Sequence, residues 1–299
     1  MLSVLIPTYN YSALQLVNEI LRQCEEAQII FEIVVSDDGS NDKTTLSENL
    51  IINNLSYSRF EQNPINLGRA GNMNLLSKKA QYEWLLFMDC DTFPKEKNFI
   101  SNYLGEIQKS DQLVHFGGIC YKENPPNTNQ ILRWKYGRKR EEIKASDRQK
   151  HPYKNTLTSN ILIHKTIFQN VTFNLKITEY GYEDWVFVTD LQSEGVTINH
   201  IDNPTYHLNY ETSKIFLEKT KKALETLVFI EESKLISTEK TKVQKAYKFL
   251  QKFKLSGIFC YFFNLVFKKI EHQLVSSNPS LLFFDFYKLG YYTRLKSNR

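Results

Sequence analysis

Trp84-Leu85-Leu86-Phe87-Met88-Asp89-Cys90-Asp91 is the stretch that decides the fold. Five apolar residues in a row, without polar alternation, read as a strand buried on both faces, as in a parallel sheet. Two carboxylates follow at i and i+2. In open sheets of this kind, ligands bind at the carboxyl ends of the strands. Asp89 and Asp91 therefore fall where chemistry is expected.

Toward the N-terminus the same reading repeats. Leu2 to Ile6 and Phe31 to Val35 are short β-branched runs, ended by Pro7 and by Ser36-Asp37-Asp38-Gly39-Ser40. Between them, residues 12–27 place Leu14, Val17, Ile20, Leu21 and Cys24 on one helical face. Residues 42–52 and 70–79 read as further helices, and 60–62 as a short strand. Strands alternating with helices predict a largely parallel sheet with right-handed crossovers. Three strand ends then bring Thr8-Tyr9-Asn10, Asp37-Asp38 and Asp89/Asp91 to one rim.

Toward the C-terminus, residues 121–155 break the rhythm. Arg133, Lys135, Arg138, Lys139 and Arg140 make this a basic stretch, read as a long mobile loop with one helix at most. Strands are expected over 156–164 and 196–201, and a helix from Gly181-Tyr182-Glu183-Asp184-Trp185 to about Ser193. Beyond Asn209 the pattern is helical: 215–233, 243–253, the apolar run 255–267 and the aromatic-rich 281–292. The expectation is an α/β domain over 1–210 and a helical, basic, aromatic-rich region over 211–299.

Five constellations carry chemistry, each beside a plainer reading. Asp89 and Asp91 suit one hard cation and a bound diphosphate, since Mg²⁺ and Mn²⁺ favour oxygen ligands; the alternative is a solvated turn. Asp37 suits the N–H of a pyrimidine base; the alternative is a turn with Ser40 or a neighbour capping a helix. In Asn66-Leu67-Gly68-Arg69, Gly68 permits close backbone approach and Arg69 can pair with phosphate or an aspartate; the alternative is a loop entering a helix. Glu183 and Asp184 offer a general base, or merely favourable charges at a helix N-terminus. His207 suits a metal shell beside Asp91, or a structural role.

The bulk numbers narrow the classes. Lys and Arg number 38 against 33 Asp and Glu, a net +5. From Ser213 to Arg299 there are 17 basic and 7 acidic residues, +10, leaving 21 and 26, or −5, for residues 1–212. An acidic front suits a metal-dependent site, and a basic tail suits an anionic partner. The four cysteines, at 24, 90, 120 and 260, have neither zinc spacing nor the look of a disulfide scaffold, so a reduced chain is expected. Met1 running straight into an apolar strand is not the pattern of a secretory leader. No apolar run reaches the roughly 18–20 residues of a membrane span.

Together these segments resemble the family 2 glycosyltransferases of the GT-A fold. Ser3 to Asn10 is similar to that family's opening strand and nucleotide loop. Ile33 to Ser40 resembles its base-binding loop, and Asn66 to Arg69 its phosphate-side loop. Phe87 to Asp91 resembles its D-x-D segment, and Gly181 to Trp185 its E-D segment. The resemblance covers about residues 1–210 and implies a mixed, mainly parallel sheet flanked by helices.

The resemblance further implies an inverting transfer from a nucleotide-diphospho sugar, most often a UDP sugar, to an acceptor hydroxyl. Pro7, Thr8, Tyr9 and Asp37 would frame the nucleotide, with Asn66, Gly68 and Arg69 on the phosphate side and Asp89 with Cys90 beside the ribose. Asp91, with Asp89 and His207, would hold Mn²⁺ or Mg²⁺. Asp184 would be the base and Glu183 would bind acceptor, a glycan or lipid-linked glycan. Apart from the resemblance, the basic loop 133–140 is expected to close over donor or acceptor and exclude water.

The apolar run 255–267, flanked by Lys252, Lys254, Lys268 and Lys269, fits a helix lying in an anionic membrane interface, or one packed on the domain or in a homo-oligomer. The expected location is cytoplasmic, extending to the cytoplasmic face of the inner membrane. Two other classes remain as alternatives: an inactive sugar-nucleotide-binding scaffold, and a nucleotidyltransferase. The latter needs a Gly-rich basic loop where Pro7 to Tyr11 stands. Nucleic acid is not an expected partner, because the tail's apolar runs are too long for a solvated phosphate-binding stripe.

Overall fold

A computed structural model describes residues 1–236 and 241–297; residues 237–240 and 298–299 of the basic tail lie outside the described residues. In chain order the first elements are β1 (Leu2–Thr8), α1 (Leu14–Glu26), β2 (Phe31–Asp37), α2 (Lys43–Leu50), β3 (Ser58–Gln62), α3 (Gly68–Lys79) and β4 (Trp84–Met88). There follow β5 (Thr92–Pro94), α4 (Phe99–Lys109), β6 (Val114–Phe116), β7 (Ile119–Cys120), α5 (Ile131–Arg140), α6 (Ala145–Gln149), β8 (Asn160–His164) and α7 (Lys165–Asn170). The last are α8 (Glu183–Ser193), β9 (Asn199–His200), β10 (Thr205–His207), α9 (Ser213–Glu232), α10 (Lys242–Lys252), α11 (Ser256–Leu274) and α12 (Leu281–Ser297).

The chain divides into two units. The first comprises 1–121, 141–178 and 183–209; the second comprises 122–140, 179–182 and 210–299. In the first unit, a sheet of order β3-β2-β1-β4-β8-β6-β9 forms the middle layer. β3, β2, β1 and β4 run parallel, β8 is antiparallel to β4 and β6, and β9 is parallel to β6. The mixed, mainly parallel sheet agrees with the expectation.

Its central strands β1, β2, β4 and β8 are mostly apolar and buried because both faces are covered. Leu86 and Met88 of β4 join a core with Val17 and Ile20 of α1 and Phe99, Ile100 and Tyr103 of α4. Leu85 and Phe87 point the other way, toward Met73 and Leu76 of α3 and Phe187, Val188 and Leu191 of α8. Each such side chain contributes about 1.5–3 kcal/mol on burial. Pro7 sits in a central strand without cost to the β4 ladder, which ends at the Leu5–Phe87 pair.

Three local expectations change. The stretch read as a loop contains α5 and α6, and the basic residues 133–140 lie on α5. Their charges find partners within the second unit: Arg133 lies over the Phe216 ring, Lys135 donates to Asn278 and the Pro279 carbonyl, and Arg140 pairs with Asp285 at 2.7 Å. The strand expected over 156–164 begins only at Asn160, and that over 196–201 shrinks to Asn199–His200. The cap of α2 is Asp42, whose carboxylate accepts from the Thr44 and Thr45 amides, so Ser40 is released for another task.

The second unit packs α5 and α9 to α12 together. Gly290 of α12 lies so close to the Phe263 ring of α11 that any side chain there would overlap it. The buried Tyr287 and Tyr292 hydroxyls donate to Glu271 and Glu231, which keeps polar atoms satisfied inside an aromatic core.

Candidate active site

The rim at the carboxyl ends of β1, β2 and β4 is built from loops that hold one another. Asp37 is buried; its carboxylate accepts from the Ser40 amide at 2.8 Å and from the Ser40 hydroxyl. The Ser40 oxygen in turn accepts from the Asn10 amide at 2.6 Å, and the Asn10 side chain accepts from the amides of Asn41 and Asp42. Asp38 accepts from the Leu67 amide at 2.8 Å, and burial raises its pKa. Gly39 has φ +74°, and a Cβ there would stand 3.0 Å from the Asn66 amide nitrogen. Glycine is thus what lets the Asp37 and Asn66 loops meet. Pro7 and Thr8 are buried, the Thr8 hydroxyl donating to the Tyr11 carbonyl, while Tyr9 is half exposed at the rim. Asn66 accepts from the Gly68 amide at 3.0 Å, turning the chain into α3.

Arg69, in the first turn of α3, is the hub. Its Nη2 lies 2.8 Å from Asp89 Oδ1 and its Nη1 lies 2.6 Å from Asp184 Oδ1, with Glu183 at 3.8 Å. The Thr158 hydroxyl donates to Asp184 Oδ1 and accepts from Arg69 at 3.0 Å, and the Thr158 amide donates to Asp184 Oδ2 at 3.3 Å. Burial opposes the Arg69 charge, but Asp184, Asp89 and Glu183 together hold the guanidinium firmly protonated. Burial raises the Asp89 pKa, against the lowering by Arg69. Glu183 is also pushed up, first by burial and then by the neighbouring Asp184 charge, and its Oε2 is buried with no hydrogen-bond partner among the described residues.

Asp91 faces elsewhere. Its Oδ2 lies 3.5 Å from His207 Nε2, and the His207 ring stacks on Tyr121 at 5.7 Å. The cause is a small second sheet. β5 begins just after Asp91 and pairs antiparallel with β10, setting His207 opposite Thr92, while β7 pairs on the other side of β10. Cys90, between the two aspartates, is buried enough that its thiol is pushed well up and stays protonated. A carboxylate oxygen and an imidazole nitrogen are a donor pair that fits Mn²⁺, and the carboxylate alone fits Mg²⁺. Among the described residues no three His, Cys, Asp or Glu converge on one point, so the protein offers a partial shell.

Sequence reasoning therefore names residues of both groups, and the structure joins Arg69, Asp89, Glu183 and Asp184 in one cluster and Asp91 with His207 in a second. It missed Thr158. A lone Thr ahead of a strand carries no signal until the fold carries it to Asp184. Tyr121 was missed for the same reason.

A seven-stranded, mainly parallel sheet with polar loops gathered at the carboxyl ends of β1, β2 and β4 is an arrangement of the GT-A kind. The chain belongs to glycosyl transferase family 2, whose sequence pattern matches residues 3–172, more than half its length. Among curated relatives, it is 26% identical over 120 residues to the chondroitin synthase of Pasteurella multocida strain Pm70, and 27% identical over 122 residues to the hyaluronan synthase of Pasteurella multocida. Each match spans 40% of this chain and only 12% of the relative.

Among solved structures, it is similar to a mannosyltransferase from Pyrobaculum calidifontis in complex with GDP-Man and Mn²⁺. That match has a TM-score of 0.58 and 11% identity, over 99% of this chain and 86% of that one. Glucosyl-3-phosphoglycerate synthase from Mycobacterium tuberculosis, in complex with Mn²⁺, UDP and glucosyl-3-phosphoglycerate, gives 0.50 and 13% identity over 76% and 78%. At these identities the likeness shows the fold.

Proposed function

We propose that this glycosyltransferase moves a sugar, with inversion, from a nucleotide-diphospho sugar to a hydroxyl of a glycan or lipid-linked glycan. The observation that carries the reading is the Arg69 hub, which ties the D-x-D aspartate Asp89 to Asp184 across the strand rim. A UDP sugar is favoured by the family resemblance; the complexes of UDP and of GDP-Man in the two structural relatives support a nucleoside diphosphate donor of either kind.

The bond changes follow from the donor's chemistry. The acceptor oxygen attacks the anomeric carbon opposite the diphosphate, the bond from that carbon to the phosphate oxygen breaks, and Asp184 takes the hydroxyl proton. Among the described residues Asp184 Oδ1 accepts two bonds and Oδ2 accepts one, at 3.3 Å, so Oδ2 keeps capacity for that proton. Base assistance of this kind is worth about 10²–10⁴ in rate. Glu183, beside it, binds an acceptor hydroxyl. Arg69 holds Asp184 oriented and offers positive charge near the departing diphosphate. Asp91 and His207 would hold a divalent cation, which when bound neutralises charge on the diphosphate. Pro7, Thr8, Tyr9 and the Asp37 loop receive the nucleotide base, with Asp89 and Cys90 near the ribose.

Calorimetry with UDP, GDP and CDP, with and without Mn²⁺, on wild type and Asp91→Ala, tests this. The expected result is Mn²⁺-dependent binding of UDP that is weakened about ten- to hundredfold in the variant. Binding of GDP alone changes the donor and keeps the reaction class. No nucleotide bound under either condition overturns the reading in favour of an inactive scaffold.

A further inference from the structure

The second unit carries an outer surface that the proposed reaction does not use. The inner side of α11 is closed, with Phe263, Ile270 and Leu274 buried. Its outer side is open: Ile258, Tyr261, Phe262 and Leu265 are 58%, 63%, 59% and 62% exposed. These four stand at i, i+3, i+4 and i+7, a single stripe along the helix. The stripe continues into the exposed Lys268 and Lys269. On α10 the same spacing exposes Lys245, Lys248, Phe249 and Lys252. Phe249 lies tilted against Phe253 in the turn to α11, at 4.8 Å between ring centroids, and with Phe253 and Leu255 also exposed the apolar surface runs on from one helix to the next.

Charge identifies the occupant. From Thr241 to Ile270 there are seven lysines and no acidic residue. A second copy of the chain is a poor partner, because a two-fold contact sets each patch against itself and would bring lysines against lysines. None of the described helices is long and apolar enough to cross a membrane, so a lipid contact here is one of surface docking. An apolar stripe edged by lysines suits the boundary between headgroups and acyl chains, where such a face enters roughly 5–10 Å. Each lysine near an anionic leaflet contributes about 1 kcal/mol.

We propose that the outer face of α10 and α11 docks on an anionic phospholipid bilayer. Phe262, Leu265 and Ile258 enter the acyl boundary, and Lys248, Lys252, Lys268 and Lys269 meet the headgroups. This holds whatever sugar or nucleotide the first unit takes.

Flotation of the full chain with phosphatidylcholine vesicles, and with vesicles also containing phosphatidylglycerol, tests it. Wild type is expected to float with the anionic vesicles alone and to be released by salt. Lys248→Glu with Lys252→Glu lowers partitioning at least about 25-fold, roughly fivefold per lysine. Phe262→Ser with Leu265→Ser abolishes it, with an unchanged melting curve because both side chains are exposed. Wild type left in the soluble fraction with both vesicle types overturns the proposal. So does vesicle binding that neither double variant alters. Sedimentation velocity adds a third overturning result: a dimer that Phe262→Ser with Leu265→Ser splits into monomers, without lipid binding, assigns the face to a second copy.

Discussion

Asp89 and Asp91 lie two residues apart in one loop, yet they belong to different neighbourhoods. Asp89 turns to Arg69 and, through it, to Asp184 and Thr158. Asp91 turns to His207 and the Tyr121 ring. The first neighbourhood is a closed network in which a cation already belongs to the protein. The second sets a carboxylate oxygen 3.5 Å from an imidazole nitrogen, beside an aromatic ring. The contrast teaches that two carboxylates two residues apart can be drawn into different networks, and under the proposed function this would let one brace the Asp184 side and the other meet a metal.

The strongest test of that division is Asp184→Asn. It keeps the shape of the Arg69 network and removes the proposed base, so kcat is expected to fall about 10²–10⁴-fold while nucleotide affinity stays within about twofold. An equal fall in nucleotide affinity would erase the distinction between the two neighbourhoods. Asp91→Ala comes next. Loss of a charge-assisted contact worth roughly 1.5–3 kcal/mol predicts a ten- to hundredfold weaker nucleotide affinity in Mn²⁺ and little change without it, read by calorimetry.

Thr158→Val is smaller. It removes one hydroxyl bond from Asp184, about 1.5 kcal/mol, so kcat is expected to drop about tenfold with KM little changed, and Thr158→Ser to restore it. A KM effect without a kcat effect would move Thr158 from the base to the binding surface.

The smallest effect concerns stability. Glu183 has its pKa raised above the ordinary 4.5 by burial and by Asp184. A raised carboxyl favours the folded state when protonated, and that advantage is lost as pH rises from 4.5 through the raised value. Glu183→Gln avoids the ionisation and is expected to stabilise the fold at neutral pH by roughly 0.5–2 kcal/mol. The gain should fade on acidification to about pH 4. Thermal melts at both pH values measure it; a gain independent of pH would assign the effect to packing.

Much of this was legible in local pattern. Trp84–Met88 reads as a strand with the ends it has, because an unbroken apolar run bounded by carboxylates admits little else. The helix opening at Glu183 follows from the acidic first turn and the apolar residues after it. Only one helix at most was legible over 121–155, without its bounds, since Arg133, Lys135, Arg138, Lys139 and Arg140 obscure the apolar positions Ile131, Leu132 and Tyr136 of α5. The direction of β8 was not legible either, because the buried apolar run Ile161-Leu162-Ile163 reads the same whichever way the strand runs.

Sequence alone determined the alternation of buried strands and helices, the rim at their carboxyl ends, and the residue types delivered there, because burial and periodicity act over a few residues. Only the tertiary structure decided which carboxylate meets which partner. Arg69 comes from α3, Thr158 from the approach to β8, and His207 from a strand whose pairing with β5 joins residues more than a hundred positions apart. Electrostatic roles depend on distances of a few ångströms, and such distances between remote segments exist only once the chain has closed.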